Sequence, residues 1–168
     1  MENTLNFPKH VISLLVANKP GVLIRTALVF SRRGFNIDSL VVSASQDPRF
    51  SMMNITAIGD PNTLIQILHQ LNKLVDVVHA KDYTDADILQ KELALIKIKC
   101  TQDQRTEALQ IAQAFKAETT DISPEALIFE VSGKTEKLDA FQQMLAPFGI
   151  QEMVRSGKIL MARSLEST

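Results

Sequence analysis

The chain has 168 residues, 45% of them hydrophobic and 22% charged, and its 18 basic and 19 acidic residues leave a formal net charge of -1. These values fit a folded globular protein of one medium or two small domains. They give no electrostatic case for nucleic acid or an anionic membrane, either of which would call for a concentrated basic face.

The opening "MENTLNFPKH" has neither the basic start nor the apolar core of a signal peptide, and residues 1–8 are expected to be a tail. "HVISLLV", 10–16, is apolar and branched enough for a buried strand. "NKPG" follows, and a helix is predicted over 21–33, with Pro20 and Gly21 at its start. Val22, Leu23, Thr26, Ala27 and Phe30 form an apolar face of period 3.6, and Arg25, Arg32 and Arg33 lie mostly off it. Gly34 is placed to stop the helix.

"IDSLVVSA" and "SMMNITAIG" alternate as strands do, and the turn residues of "SQDPR" between them predict an antiparallel hairpin. A second helix begins with Asp60 as cap and Pro61 at its first position, then carries Leu64, Ile67, Leu68 and Leu71 at i, i+3, i+4 and i+7. "KLVDVVHA" completes the order strand, helix, strand, strand, helix, strand.

After the polar stretch 83–90, expected to be a linker, the same order begins again. "ELALIKIKC" is a strand and "TQDQRTEALQIAQAFKA" a helix. "ETTDIS" and "ALIFEVSG" are short strands around Pro124, "TEKLDAFQQMLAPFG" is a helix, and "IQEMVRSGKILMARS" is a closing strand bent or paired at Ser156 and Gly157. The repeat lies in element order, not residue identity. It predicts an α+β protein of two tandem ferredoxin-like βαββαβ sandwiches, over 9–82 and 91–165. Such units leave one sheet face and two edges uncovered, so at least a homodimer is expected.

Catalytic chemistry is hard to find. His10, His69 and His79 share no metal-ligand spacing, so no metal site is expected. There is no GxSxG elbow, P-loop or GxGxxG, and the aromatic cluster of an RNA-binding sheet is missing. The single cysteine, Cys100, shares a strand face with Ile96 and Ile98 and reads as a buried thiol. That fits a reducing, cytoplasmic setting. No run approaches the ~18 apolar residues that cross a bilayer.

One stretch invites a ligand. Where a strand runs into a helix, the first helical N–H groups lack partners and carry partial positive charge, a ready receptor for a carboxylate. In "NKPGVL", Gly21 offers close backbone approach, Pro20 stiffens the turn, and the Asn18 amide can bond both ammonium and carboxylate. A Pro-Gly pair is also an ordinary helix start.

The pair "NKPGVL" and "RRGFNIDSL" together resemble the amino-acid-sensing ACT domain, specifically that of the small regulatory subunit of acetolactate synthase. "QDPRFSMMNITAIGD" and "QLNKLVDV" extend the likeness, as do "ELALIKI", "SGKTEKLDAF" and "VRSGKILMARS" further on, so that it covers about residues 9–165. The resemblance implies a chain with no catalytic residues of its own. Its partner would be a large catalytic subunit carrying thiamine diphosphate, Mg2+ and FAD, which condenses 2-keto acids in branched-chain amino-acid synthesis. The small subunit would activate that partner and bring feedback inhibition by valine or another branched-chain amino acid.

On the same resemblance, two ACT domains pair side by side with the effector between them. Asn18, Lys19, Pro20, Gly21 and Val22 would cradle its carboxylate through backbone N–H groups. Asn36 would reach it from the facing chain, and Leu23 and Ile37 would line the side-chain pocket. Asp76 is expected at a subunit contact. Ala17 stands where an acidic or polar residue is common, which is expected to alter affinity. The alternative is a tandem ACT-domain regulator of gene expression that acts through a protein partner.

Overall fold

The computed structural model describes residues 7–163 and 168. In the first unit the order is β1 (Lys9–Ala17), α1 (Val22–Ser31), β2 (Asn36–Ala44), β3 (Phe50–Ile58), α2 (Pro61–Leu71) and β4 (Val77–Asp82). The strands lie in the order β2-β3-β1-β4, each neighbouring pair antiparallel. Strand alternation explains the layering. Ile12, Leu14 and Val16 of β1 and Met53, Ile55 and Ala57 of β3 join one core with Val22, Val29 and Phe30 of α1 and Leu64, Ile67 and Leu71 of α2. On the other face Ser13 is fully buried, and its hydroxyl donates to Asn54 at 2.8 Å, which satisfies both groups.

Helix ends follow local chemistry. Asp60 caps α2 by accepting from the Thr63 N–H at 2.8 Å, with Pro61 in the first turn. The chain leaves α1 through Gly34, at φ 71°. There the Gly34 N–H bonds the Ser31 carbonyl and the Phe35 N–H the Phe30 carbonyl, the paired bonds of a glycine-terminated helix.

The second unit runs β5 (Ile88–Lys99), α3 (Arg105–Ala114), β6 (Glu118–Ile122), β7 (Ala126–Gly133), α4 (Thr135–Leu145), a 3-10 turn (Ala146–Phe148) and β8 (Ile150–Arg155). Its strand order, β6-β7-β5-β8, repeats that of the first sheet. The two units are thus the tandem ferredoxin-like α+β sandwiches expected. Ile96 and Ile98 of β5 pack with Phe129, Phe141 and their neighbours. Cys100 is buried among them.

The last stretch breaks at Ser156 and Gly157, the place of the expected bend or pairing. β9 (Ile159–Ala162) belongs to the first compact unit, which among the described residues comprises those up to Leu89 and again those from Lys158. The second unit is Gln90–Gly157, shorter than the expected 91–165. The expected linker 83–90 also starts within the first unit. Tyr83 is buried with Val11 and Leu160, its N–H donates to the Val11 carbonyl at 2.7 Å, and the Val11 N–H donates to Thr84 Oγ1 at 3.0 Å. An aromatic ring with apolar partners on the sheet face away from the helices holds this segment in place.

Candidate functional site

The loop after β1 is pinned on both sides. The Ala17 N–H donates to the Asp76 carbonyl at 2.7 Å, which fixes it to the turn before β4. The Asn18 N–H donates to the Arg49 carbonyl at 2.7 Å, and Asn18 Nδ2 to the Pro48 carbonyl at 3.1 Å, which fix it to the β2–β3 hairpin. Asn18 therefore holds its own loop, with Oδ1 left as its remaining acceptor.

Pro20 and Gly21 form a turn ahead of the helix, not its first residues as expected. Gly21 has φ 84° and ψ -10°, and the Val22 N–H reaches the Lys19 carbonyl at 3.4 Å. Those angles are the third position of a type II turn, whose second position favours proline and whose third needs glycine. The helix starts one residue later than predicted because a left-handed Gly21 cannot be helical.

No side chain caps α1. Its first regular bond runs from the Arg25 N–H to the Gly21 carbonyl at 3.1 Å. By helix geometry the N–H groups of Leu23 and Ile24 lie before it without intrahelical acceptors, and their partial positive charge points toward the loop.

The expected site residues divide into groups. Lys19 and Pro20 are exposed and Gly21 is half-buried. Val22 is buried in the core, so only its backbone can face a ligand, and that N–H already leans on Lys19. Leu23 is exposed, whereas Ile37 is half-buried against the core. Asn36 is exposed at the start of β2, where it pairs with Ile58, and Ile58 in turn pairs with Lys9. Asn36 thus sits at the opposite end of the sheet from Gly21, about 27 Å along a nine-residue strand.

Arg25 was missed by sequence reasoning, which placed it only off the apolar face. Its Nη2 donates to Asp76 Oδ2 at 2.6 Å. Its Nη1 lies 2.9 Å from where a Cβ on Gly21 would stand. Asp76, expected at a subunit contact, has this partner inside its own unit. A separation of 51 positions hides such a pair from any local pattern. The hairpin turn that holds Asn18 carries Arg49, whose hydrogen bonds hold the exposed Asp47 carboxyl below its ordinary pKa.

The histidines have structural surroundings. His10 Nε2 is 3.0 Å from the Gly59 carbonyl and its ring stacks on Phe35. His79 Nε2 is 3.0 Å from the Thr168 carbonyl, and His69 lies in the last turn of α2. Among the described residues no group of three or more His, Cys, Asp or Glu side chains is placed to hold a metal ion. Nor is any described helix long and apolar enough to cross a membrane.

Two antiparallel βαββαβ sandwiches, the first with an uncapped helix behind a Pro-Gly turn, define the class: a tandem ferredoxin-like protein of the ACT type. The family model for the ACT domain of acetohydroxyacid synthase small subunits matches residues 12–79. The model for the small subunit of acetolactate synthase matches residues 91–164. The chain belongs to the acetolactate synthase small-subunit family.

Its relatives agree along nearly the whole length. A probable acetolactate synthase small subunit of Methanothermobacter thermautotrophicus is 44% identical over 92% of both chains. The acetolactate synthase small subunit of Mycobacterium bovis is 42% identical over 92% of both. The crystal structure of the acetolactate synthase small subunit from Thermotoga maritima superposes with a TM-score of 0.83 at 36% identity, covering 94% of this chain and 98% of that one.

Proposed function

We propose that this chain is the non-catalytic regulatory subunit of acetolactate synthase. It activates a large subunit that carries thiamine diphosphate, Mg2+ and FAD, and it makes that subunit sensitive to valine or another branched-chain amino acid. The observation that carries the effector half of this reading is the uncapped N-terminus of α1 behind the left-handed Gly21. The activating half rests on family membership.

The distance between Asn36 and Gly21 supports a paired site. β2 is an edge strand. If two copies join their β2 edges antiparallel about a two-fold axis, each Asn36 moves to the end of the sheet that holds the partner's Gly21 loop. One chain then offers helix N–H groups to the effector's carboxylate, and the other offers the Asn36 amide. Leu23 and Ile37 border the side chain. One methylene in such an apolar pocket is worth ~1–3 kcal/mol, so valine, leucine and isoleucine are separated only modestly.

Regulation follows from linkage. The effector shifts activity only by binding the active and inactive assemblies unequally. The turn before β4 joins the loop through Ala17 and Asp76 and carries a fully exposed Val75. We assign this turn, through the exposed Val75 next to Asp76, to the contact with the large subunit.

The test is reconstitution. Acetolactate formation by the purified large subunit should rise on adding this chain and fall when valine is then added. A large subunit whose rate is unchanged by saturating small subunit would overturn the proposal. It would favour the gene-expression regulator, which shares the fold but not this partner.

A further inference from the structure

The charged pair beside the loop is not explained by the backbone receptor. Arg25 is half-exposed and Asp76 has 20% of its side-chain surface exposed. An exposed pair of this kind contributes little to stability. Its placement is more informative. The guanidinium is laid over Gly21 where any other residue would put a Cβ, so the missing side chain makes room for it.

Neither partner is saturated. A guanidinium has five N–H donors, and the bond to Asp76 uses one, on Nη2. Nη1 faces the loop. Asp76 accepts through Oδ2, which leaves Oδ1 as a second acceptor. A cation and an anion one hydrogen bond apart therefore stand side by side at the end of α1. An α-amino acid carries the reverse arrangement, a carboxylate and an ammonium on one carbon.

We propose that Arg25 and Asp76 together read the zwitterion of the effector, Arg25 binding its carboxylate and Asp76 its ammonium. This rests on the amino-acid-sensing reading above and adds what that reading lacks. Helix N–H groups accept any carboxylate, including a 2-oxo acid with the same side chain. Asp76 rejects that analogue, because it sets a carboxylate oxygen against a carbonyl oxygen where an ammonium would have donated. A product sensor built this way ignores the unaminated acids of the same carbon skeleton.

The experiment is calorimetric titration of the full chain with valine, its 2-oxo acid and isovalerate, for wild type, Arg25→Gln and Asp76→Asn. Wild type should prefer valine to both analogues by at least about tenfold, as sites built to bond a polar group do. Arg25→Gln should weaken valine at least about tenfold, and Arg25→Lys should recover part of the loss. Asp76→Asn should bring valine and the 2-oxo acid within about threefold of each other.

Wild type that binds valine and the 2-oxo acid equally overturns the inference alone. So does retention of full preference in Asp76→Asn, or of full valine affinity in Arg25→Gln. Wild type that binds none of the three, with the large subunit present or absent, overturns the sensing reading itself. If a variant fails to fold, the wild-type series still decides, since it needs no substitution.

Discussion

The two units share a topology and differ where the first strand hands over to the first helix. Neither first helix has a side-chain cap. In the first unit the junction is a type II turn with Gly21 at φ 84° and an arginine using one donor on Asp76. In the second it is a glycine-free turn. Thr101 donates through its N–H and hydroxyl to Gln104 Oε1 at 3.3 and 3.0 Å, and the Gln104 N–H returns to the Thr101 carbonyl at 3.2 Å. Arg105 spends its Nη2 on the Ser123 and Pro124 carbonyls, at 2.7 and 3.0 Å. Both junctions are tied to their neighbours, the first through Ala17 and Asn18 and the second through Arg105, and they differ in the glycine turn of the first and the side-chain turn of the second. Equal folds do not imply equal sites, and on the proposed reading effector binding rests on a few residues at the first unit's helix end.

The largest expected effect breaks the second unit and spares the first. Phe129 is fully buried, edge-on to Phe141 at 6.0 Å. Phe129→Ala should cost about 3–5 kcal/mol in denaturant unfolding. Valine affinity measured below the transition should remain, and an equal loss of affinity would show that the second unit shares the site.

Gly21→Asp should remove valine binding, a loss of at least about 1.4 kcal/mol or tenfold by calorimetry. The new carboxylate would lie against Arg25, and the left-handed angle strains any side chain. Unchanged affinity would refute the placement. Asn36→Ala should weaken binding by about 0.5–1.5 kcal/mol, the worth of one hydrogen bond, with the thermal midpoint unchanged. Full retention of inhibition in the reconstituted enzyme would make Asn36 structural only.

The smallest effect is one of pH. Asp47 has its pKa lowered from 3.8 by the hydrogen bond from Arg49. A depressed carboxylate contributes stability that is complete above its unfolded pKa and lost as pH falls through the lower folded value. The hairpin that anchors Asn18 should thus loosen only below about pH 4, and Asp47→Asn should flatten that dependence in amide exchange. A loosening already complete at pH 6 would point to another group.

Much of this was legible in the sequence, for physical reasons. Helix faces and strand alternation are local, so the order of elements, the Asp60 cap and the buried Cys100 all followed from spacing. Gly21 and Pro20 marked the loop, although the left-handed glycine moved the helix start to Val22. The departures are long-range. "GKILMA" has the alternation of any edge strand, and nothing in it says that Leu160 packs with Val11 and Tyr83. Tyr83 sits alone in a polar stretch that reads as a linker. Arg25 and Asp76 look like two solvated charges until the fold brings them together over Gly21.

The most direct test is thermal unfolding of the purified chain with valine, leucine, isoleucine and, as a control, glutamate. A saturating upward shift with a branched-chain amino acid and none with glutamate is the predicted result, reaching ~2.7 kcal/mol at one hundred times the dissociation constant. No shift with any of them, and none when the large subunit is present, would contradict the account and reduce the Pro20–Gly21 turn to the start of a helix.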